Sequence, residues 1–352
     1  MTVTSNTTAK NYKFVGTITT IQPVSISLPK TTGMPINSHG SAYIPASSIR
    51  GFLRSIAHHA VVLELEKAGK VLSVDQHYMN ASGVDTARVV KLGGGYEAVN
   101  KNLPIRKKNP LLSLFGNFVV GSHSQIGNAL ASPNENPLVV LGNGSRSHVF
   151  TRNKDLVKSV DENELEYLQK VMSATADTAE QTGSIKDEIS KLKKQLSKAD
   201  PEAKAAIFAQ IETLNDEMKE VKESRTGSTE SIQRILDGFE AIDAGYTLSH
   251  RIQVTDVTGD EFEFFLWVLY KAGYDFRIGG HSNLGCGQIH AEWDVSVSSL
   301  NDPKPTKLGK VLMGDDGFEA VPNKDVIDNK LVFDPSKVEE KIRNGTYDFT
   351  TY

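Results

Sequence analysis

The chain has one cysteine, Cys286, in 352 residues. That excludes an internal disulfide framework and a multi-cysteine zinc site, and it fits a reducing, cytoplasmic setting. Long apolar runs are missing too, since nothing approaches the roughly 18 residues of a membrane span. The opening MTVTSNTTAKNYK has no apolar centre and does not read as a secretory leader. The most informative absence is of negative charge. Residues 1–60 contain no Asp or Glu, and the first acid is Glu64, yet the same stretch holds Lys10, Lys13, Lys30, Arg50 and Arg54. The net charge of -4 conceals this, because residues 1–154 are basic in excess while 155–244 and 245–352 are acidic. Such an asymmetry implies a basic surface that meets a polyanion, with carboxylates kept away from phosphate.

What is present reads as mixed helix and strand. Residues 12–28 are rich in β-branched and aromatic residues and predict a strand to about Ile21, broken near Pro23. Residues 29–44 are loop by composition. Pro45 then precedes a helix with Ser47 or Ser48 as N-cap. Its buried stripe is Ile49, Phe52, Leu53, Ile56, Ala60 and Leu63, and Gly69 ends it. Residues 70–110 are irregular, and 111–154 read as short strands and loops. Over 161–244, Ile185, Ile189, Leu192 and Leu196, then Ile207, Ile211, Leu214, Met218 and Val221, fall at a/d spacing, with Asp200-Pro201 between them. A helical hairpin is the first reading of this arm and one long, irregular helix the second. A strand at 246–255, a helix at 260–273 and a strand–turn–strand at 274–295 follow; the remainder, 299–352, reads as an acidic, loosely packed tail. The expected fold class is α+β: a split βαβ, ferredoxin-like (RRM-like) palm with large insertions, including the helical arm. The palm would be discontinuous, from 1–160 and 245–298, with the irregular segment inserted at 70–110.

Two segments can carry chemistry. In YIPASSIRGFLRSIAHH, Arg50 and Arg54 are i, i+4 and share a helix face with Ser47 one turn before and His58 one turn after. Free first-turn N–H groups and the helix dipole add positive charge there, a combination suited to consecutive phosphates. The bland alternative is an arginine pair that only solubilises an exposed face. The second segment is GGHSNLGCG, Gly279 to Gly287, whose glycines permit positive φ and close backbone approach, so its amides, Ser282 and Asn283 can clasp a phosphate. It is neither a Walker loop nor a dinucleotide fingerprint; a tight hairpin without a ligand is its bland alternative. The nine histidines are scattered, no H-x-x-x-H pair exists, and Cys286 reads as a packing residue. No metal site, cofactor or catalytic constellation emerges.

The ordered pair of motifs, I-P-x-S-S-I-R-G-x-L-R-S from Ile44 to Ser55 and G-G-H-S-N-L-G-C-G near the end of the core, resembles the RAMP superfamily of CRISPR effector subunits. Leu114-Phe115-Gly116 resembles a further family mark. The resemblance is closest to backbone subunits that polymerise along a guide RNA, of type IV first and then of types III and I. It implies guide-RNA contacts from Ser47, Ser48, Arg50 and Arg54 and from the Gly280, His281, Ser282 and Asn283 turn. Further RNA-binding candidates are Lys13 on the first strand, His39 in the loop before the helix, and Arg146 and Arg152 for a thumb. Ala46 and Asn283 depart from the family wording in minor ways. Type III relatives cut target RNA with an aspartate in the loop between the first strand and first helix, but residues 22–44 here contain no acid. The resemblance therefore implies a non-enzymatic subunit. Its partners would be guide RNA, copies of itself, other effector subunits and, through guide pairing, a target nucleic acid. The alternatives are a RAMP-type endoribonuclease, with His39 or His58 as general base, and a structural adaptor that binds protein through its arm.

Overall fold

A computed structural model describes residues 9–27, 33–84, 108–117, 121–142, 144–146, 178, 181–195, 201–223, 234–236, 238–325 and 331–350. Two compact units emerge, one from Met1–Leu141 with Phe239–Tyr352 and the other from Gly142–Gly238.

The first unit is built on β1 (Lys10–Thr20), which alternates buried and exposed residues: Tyr12, Phe14 and Ile18 point inward, Lys13 and Val15 outward. β1 pairs antiparallel with both β9 (Thr247–Val257) and β10 (Ile289–Ser299). The short strands β2 (Tyr43–Ile44), β3 (Ser124–Ile126) and β4 (Ala129–Leu130) close the β9 side, and β11 (Thr306–Gly314) and β12 (Gly317–Pro322) extend the β10 side. The sheet order is β12-β11-β10-β1-β9-β4-β2, with β3 also on β9. The chain thus runs strand, helix, strand twice. The two crossover helices are α1 (Ala46–Lys67) and the later Gly259–Ala272 helix. Between them lie α2 (Val74–Ser82) and the short α3 (Pro110–Phe115), so the Gly259–Ala272 helix is α4. Phe14 meets α4 at Phe262 and Phe265, the latter edge-on with centroids 5.5 Å apart, and Tyr12 stacks on Phe262 at 3.6 Å. Those apolar contacts cover one face of the sheet, while on the other Lys13 and Arg251 stand exposed. The α+β expectation matches this mixture of helix and antiparallel sheet.

The structure departs from the sequence expectation at several points, among them α2 within residues 70–110, read as irregular, and α3 running into residues 111–154, read as short strands and loops. The buried side of α1 is Ile49, Leu53, Arg54, Ala57, Ala60, Val61, Glu64 and Leu65, whereas Leu63 is exposed. The stripe is rotated toward Arg54 because α2 and α3 pack there. Residues 274–278 form no strand beyond one bridge, Arg277 to Gln288. Residues 299–352, expected as a loose tail, supply β11, β12 and α5 (Pro335–Asn344). Val338, Ile342, Tyr347 and Phe349 are buried, and the last two lean on Phe264.

In the second unit, helices at 181–195 and Pro201–Glu223 bury Ile189 and Ile211, and Leu192 and Leu214 line one groove between them. β6 (Gly144–Arg146) pairs with β7 (Arg234–Leu236). The insertion starts and ends between two strands of the first unit, β5 (Leu138–Leu141) and β8 (Phe239–Ile242), which pair with each other from Leu138↔Ile242 to Leu141↔Phe239. It is therefore wider at its start, and shorter at its end, than the 161–244 expected.

Gly16 lies opposite both His250 and Trp293, and Trp293 Nε1 donates to His250 Nδ1 at 3.1 Å across it. A Cβ at Gly16 would overlap the Glu292 carbonyl oxygen. Gly16→Val is therefore expected to cost about 3 kcal/mol or more, read as a fall in melting temperature. Gly51→Ala, at an open helix position with nothing near its Cβ, is expected to be neutral or to stabilise by about 0.5–1 kcal/mol.

Candidate nucleic-acid interface

The start of α1 lacks the side-chain cap that α2, α3, α4 and α5 each have. α2 is closed by the Ser73–Gln76 capping box and α4 by the Thr258–Glu261 box, each with acids in the first turn. α1 begins at Ala46 behind Pro45, with no side-chain cap and no acid in its first turn. Ser47 and Ser48 are thus first-turn residues rather than caps. The open side of α1 carries Ser47, Gly51, Ser55 and His59 at successive i, i+4 positions, all exposed. This row of small, polar side chains at a positive helix end is a surface that a ribose-phosphate chain can approach closely. Sequence reading named Ser47 and missed Gly51, Ser55 and His59, although their four-residue spacing was the available signal.

The two arginines do different jobs. Arg50 is half-buried; its Nη2 donates to Ser122 Oγ and to Ser124 O, the latter at 2.8 Å, and burial lowers its pKa. Arg54 was expected on the same exposed face but is only 7% exposed. Its guanidinium donates to Asn80 O at 2.8 Å, Met79 O at 2.9 Å and Phe115 O at 3.5 Å. Those carbonyls end α2 and α3, so the charge sits on the negative ends of two helices. Burial and then the Arg50 charge bring its pKa down to about 10, which leaves it charged at neutral pH. Gly83, at φ +73, ends α2 here, and a Cβ on it would stand 3.1 Å from both Arg54 Nη atoms. Arg54 is therefore chiefly a clamp under the interface and reaches its surface only at the lining of the cleft. Asn80, 1% exposed, extends the clamp by donating to Phe349 O at 3.0 Å and accepting from Asn109 Nδ2 at 2.9 Å. Above the clamp is a cleft of about 740 Å³ lined by Ser47, Arg50, Arg54, Gly116 and Ser122 among others, with no carboxylate in its lining.

His58, also expected on the open face, turns into the α1–α2 contact, where its Nε2 lies 3.0 Å from His77 Nδ1. Burial, His77, His59 and Arg54 lower its pKa to about 4. His250 is likewise lowered to about 4 by burial, against the opposing effect of its bond to Gly127 O.

The tip of the glycine turn is on the surface, with Gly280, His281, Ser282 and Asn283 all exposed, while Cys286 and Gly287 are buried. Its path needs positive φ at Gly279, Gly285 and Gly287, and His281 adopts φ 61 as well. The His281 ring lies flat on Phe239 at 3.7 Å, and Gly280 N donates to Ser25 O at 2.9 Å. The segment that leads into the turn meets α1 at Phe52, whose ring lies 5.8 Å from that of Phe276. Phe52 is not on the Arg50 face of the helix, so the expected sharing of one face by Arg50 and the turn is not seen. Lys13 and His39 are exposed elsewhere, Lys13 on the open sheet face and His39 beside it. Arg146 lies on β6 in the second unit, and Arg152 lies outside the described residues. One acid reaches the acid-free loop from afar: Glu240 Oε2 on β8 accepts from Met34 N at 2.9 Å. Among the described residues, no cluster of three or more metal-ligating side chains occurs, and no helix is long and apolar enough to cross a membrane.

Two outcomes follow from these environments. Arg54→Met should strand three carbonyl oxygens and lower stability by about 3 kcal/mol in denaturant unfolding, with Arg54→Lys intermediate. Because the folded chain holds His58 and His250 near pKa 4, against about 6.5 when unfolded, the unfolded chain binds more protons in that window. Stability is thus complete above about pH 6.5 and is lost as pH falls toward about 4. Melting temperature measured across this range should drop, and His58→Gln should make the drop shallower.

No curated protein matches the chain. A family model does: that of the RAMP superfamily, over residues 17–290. The match begins within β1 and ends in β10, enclosing the start of α1, the Leu114–Gly116 seat of Arg54 and the glycine turn. The chain belongs to the RAMP superfamily, a membership that points to a CRISPR-associated RNA-binding protein.

Proposed function

We propose that this protein is a non-catalytic backbone subunit of a cytoplasmic CRISPR ribonucleoprotein, whose copies dock head to tail along a guide RNA and hold it for pairing with a target. The observation that carries this reading is the uncapped, acid-free start of α1, with Arg50 beside its open serine–glycine row and a cleft there whose lining holds no carboxylate. Contacts of this kind are made to phosphate and sugar, are blind to sequence and leave bases free. The spatial order β10-β1-β9-β4 with two crossover helices supports a ferredoxin-like palm. Head-to-tail docking is a heterologous contact and generates an open row of subunits. Within the superfamily the type IV reading rests on motif wording and on the missing acid of residues 22–44.

Glu240 bears on the alternative of RNA cutting, because it brings a carboxylate to a loop that has none. We read it as a loop clamp, since Met34 N–H already occupies Oε2 and the Ser25 hydroxyl donates to the Glu240 carbonyl.

Arg50→Glu is the direct test. The variant should purify with a markedly lower 260/280 nm absorbance ratio than wild type while its circular dichroism is unchanged. RNA retained at the wild-type level would remove the α1 start from the interface. Incubating wild type with labelled guide-repeat or target RNA, with and without magnesium, should leave the RNA intact; cleavage abolished in Glu240→Gln would replace the binding-only reading with a nuclease.

A further inference from the structure

On the uncovered face of the sheet, β1, β9, β4 and the turn at residues 37–41 enclose a cleft of about 510 Å³. That volume is within the roughly 300–1,000 Å³ of small-ligand sites. Its lining is unusual for a nucleic-acid-binding protein because it holds no Lys, Arg, Asp or Glu. Hydroxyls come from Thr17, Ser41, Ser132, Thr247 and Ser249, an imidazole from His39, and apolar wall from Leu130, Ala131 and Pro133. A phosphate finds no counter-charge in such a lining, and a purely apolar ligand would strand the hydroxyls. The group that suits it is neutral, partly flat and rich in hydrogen-bonding edges.

The cleft wall is pre-set. Asn37 Oδ1 accepts from both His39 N and Ser41 N at 2.9 Å, and Gly40 N closes the turn on Asn37 O at 3.0 Å. Cations stand outside the cleft, not in it. Arg251 is two residues beyond Ser249 on β9, and Lys13 is four residues before Thr17 on β1, each on the same exposed face. At about 3.3 Å per residue they lie roughly 7 and 13 Å away, on the scale of one to two nucleotide steps.

We propose that this cleft takes a single nucleoside of an RNA strand, with its hydroxyls reading the ribose 2′-OH and Arg251 and Lys13, both on the same side of the cleft, meeting the next two phosphates in that direction. It rests on the RNA-binding reading and adds to it a source of discrimination between RNA and DNA, since the 2′-OH both donates and accepts.

The test compares a fluorescein-labelled oligouridylate with its 2′-deoxy counterpart on the full-length protein. Wild type should prefer the RNA by about fivefold, the worth of one net hydrogen bond. Ser249→Tyr, which fills the cleft from an exposed position, should bind both oligomers alike; Ser132→Tyr fills it from the opposite wall and serves if the first variant does not fold. If wild type binds RNA but both fillings leave the preference unchanged, the cleft is not the reader, and the RNA-binding reading stands without it. If wild type binds neither oligomer, the RNA-binding reading fails. Uridine alone is then titrated while the His39 imidazole resonances are followed. Shifts in wild type that vanish in Ser249→Tyr keep the nucleoside site, and no shift in wild type overturns it.

Discussion

A buried cation that no carboxylate answers among the described residues is what the α1 surface depends on. Arg54 is held by main-chain oxygens at the ends of α2 and α3, so its charge is balanced by helix dipoles spread over several peptide groups. The alternative, a buried ion pair, would have put a full negative charge beneath the surface we propose for phosphate. Through Asn80 the same hydrogen bonds reach Asn109, which caps α3, and the Phe349 carbonyl. Fold stability and surface potential are therefore set by one network, and the segment after residue 290, beyond the family match, is part of it.

The distribution of charge over the rest of the first unit follows the same logic. Acids are used where they cap or pair: Glu261 closes α4, Glu64 takes Lys67 and Arg343, and Glu292 on the sheet takes Lys310. Glu240 spends its carboxylate on a backbone amide. Among the described residues, Lys10, Lys13, Arg50 and Arg54 of the basic opening stretch have no such acid partner.

Parts of this were legible from residue order alone. The alternation of β9 and the capped, amphipathic α4 appear within a residue or two of the expected limits, because each is specified by local pattern. The glycine turn was legible because only glycine tolerates most of its backbone angles. Arg54 was misread for a physical reason: its spacing from Arg50 matches an exposed pair, and the carbonyls that bury it come from segments 25 and more residues away. The same applies to Val338, Ile342, Tyr347 and Phe349, each an isolated apolar residue in an acidic context, whose burial depends on α1, α4 and Phe264. Glu240 escaped notice because the loop it touches lies some two hundred positions earlier in the chain.

The β5–β8 ladder has a consequence of its own. Because Leu138 and Ile242 are paired across the base of the insertion, the ends of everything between Gly142 and Gly238 are already brought together by the scaffold. Changing the length of what is inserted there alters only a slowly growing closure entropy. The arm can thus be exchanged like a cassette, lengthened, trimmed or recoded for a new neighbour, while the fold that carries it stays as it is.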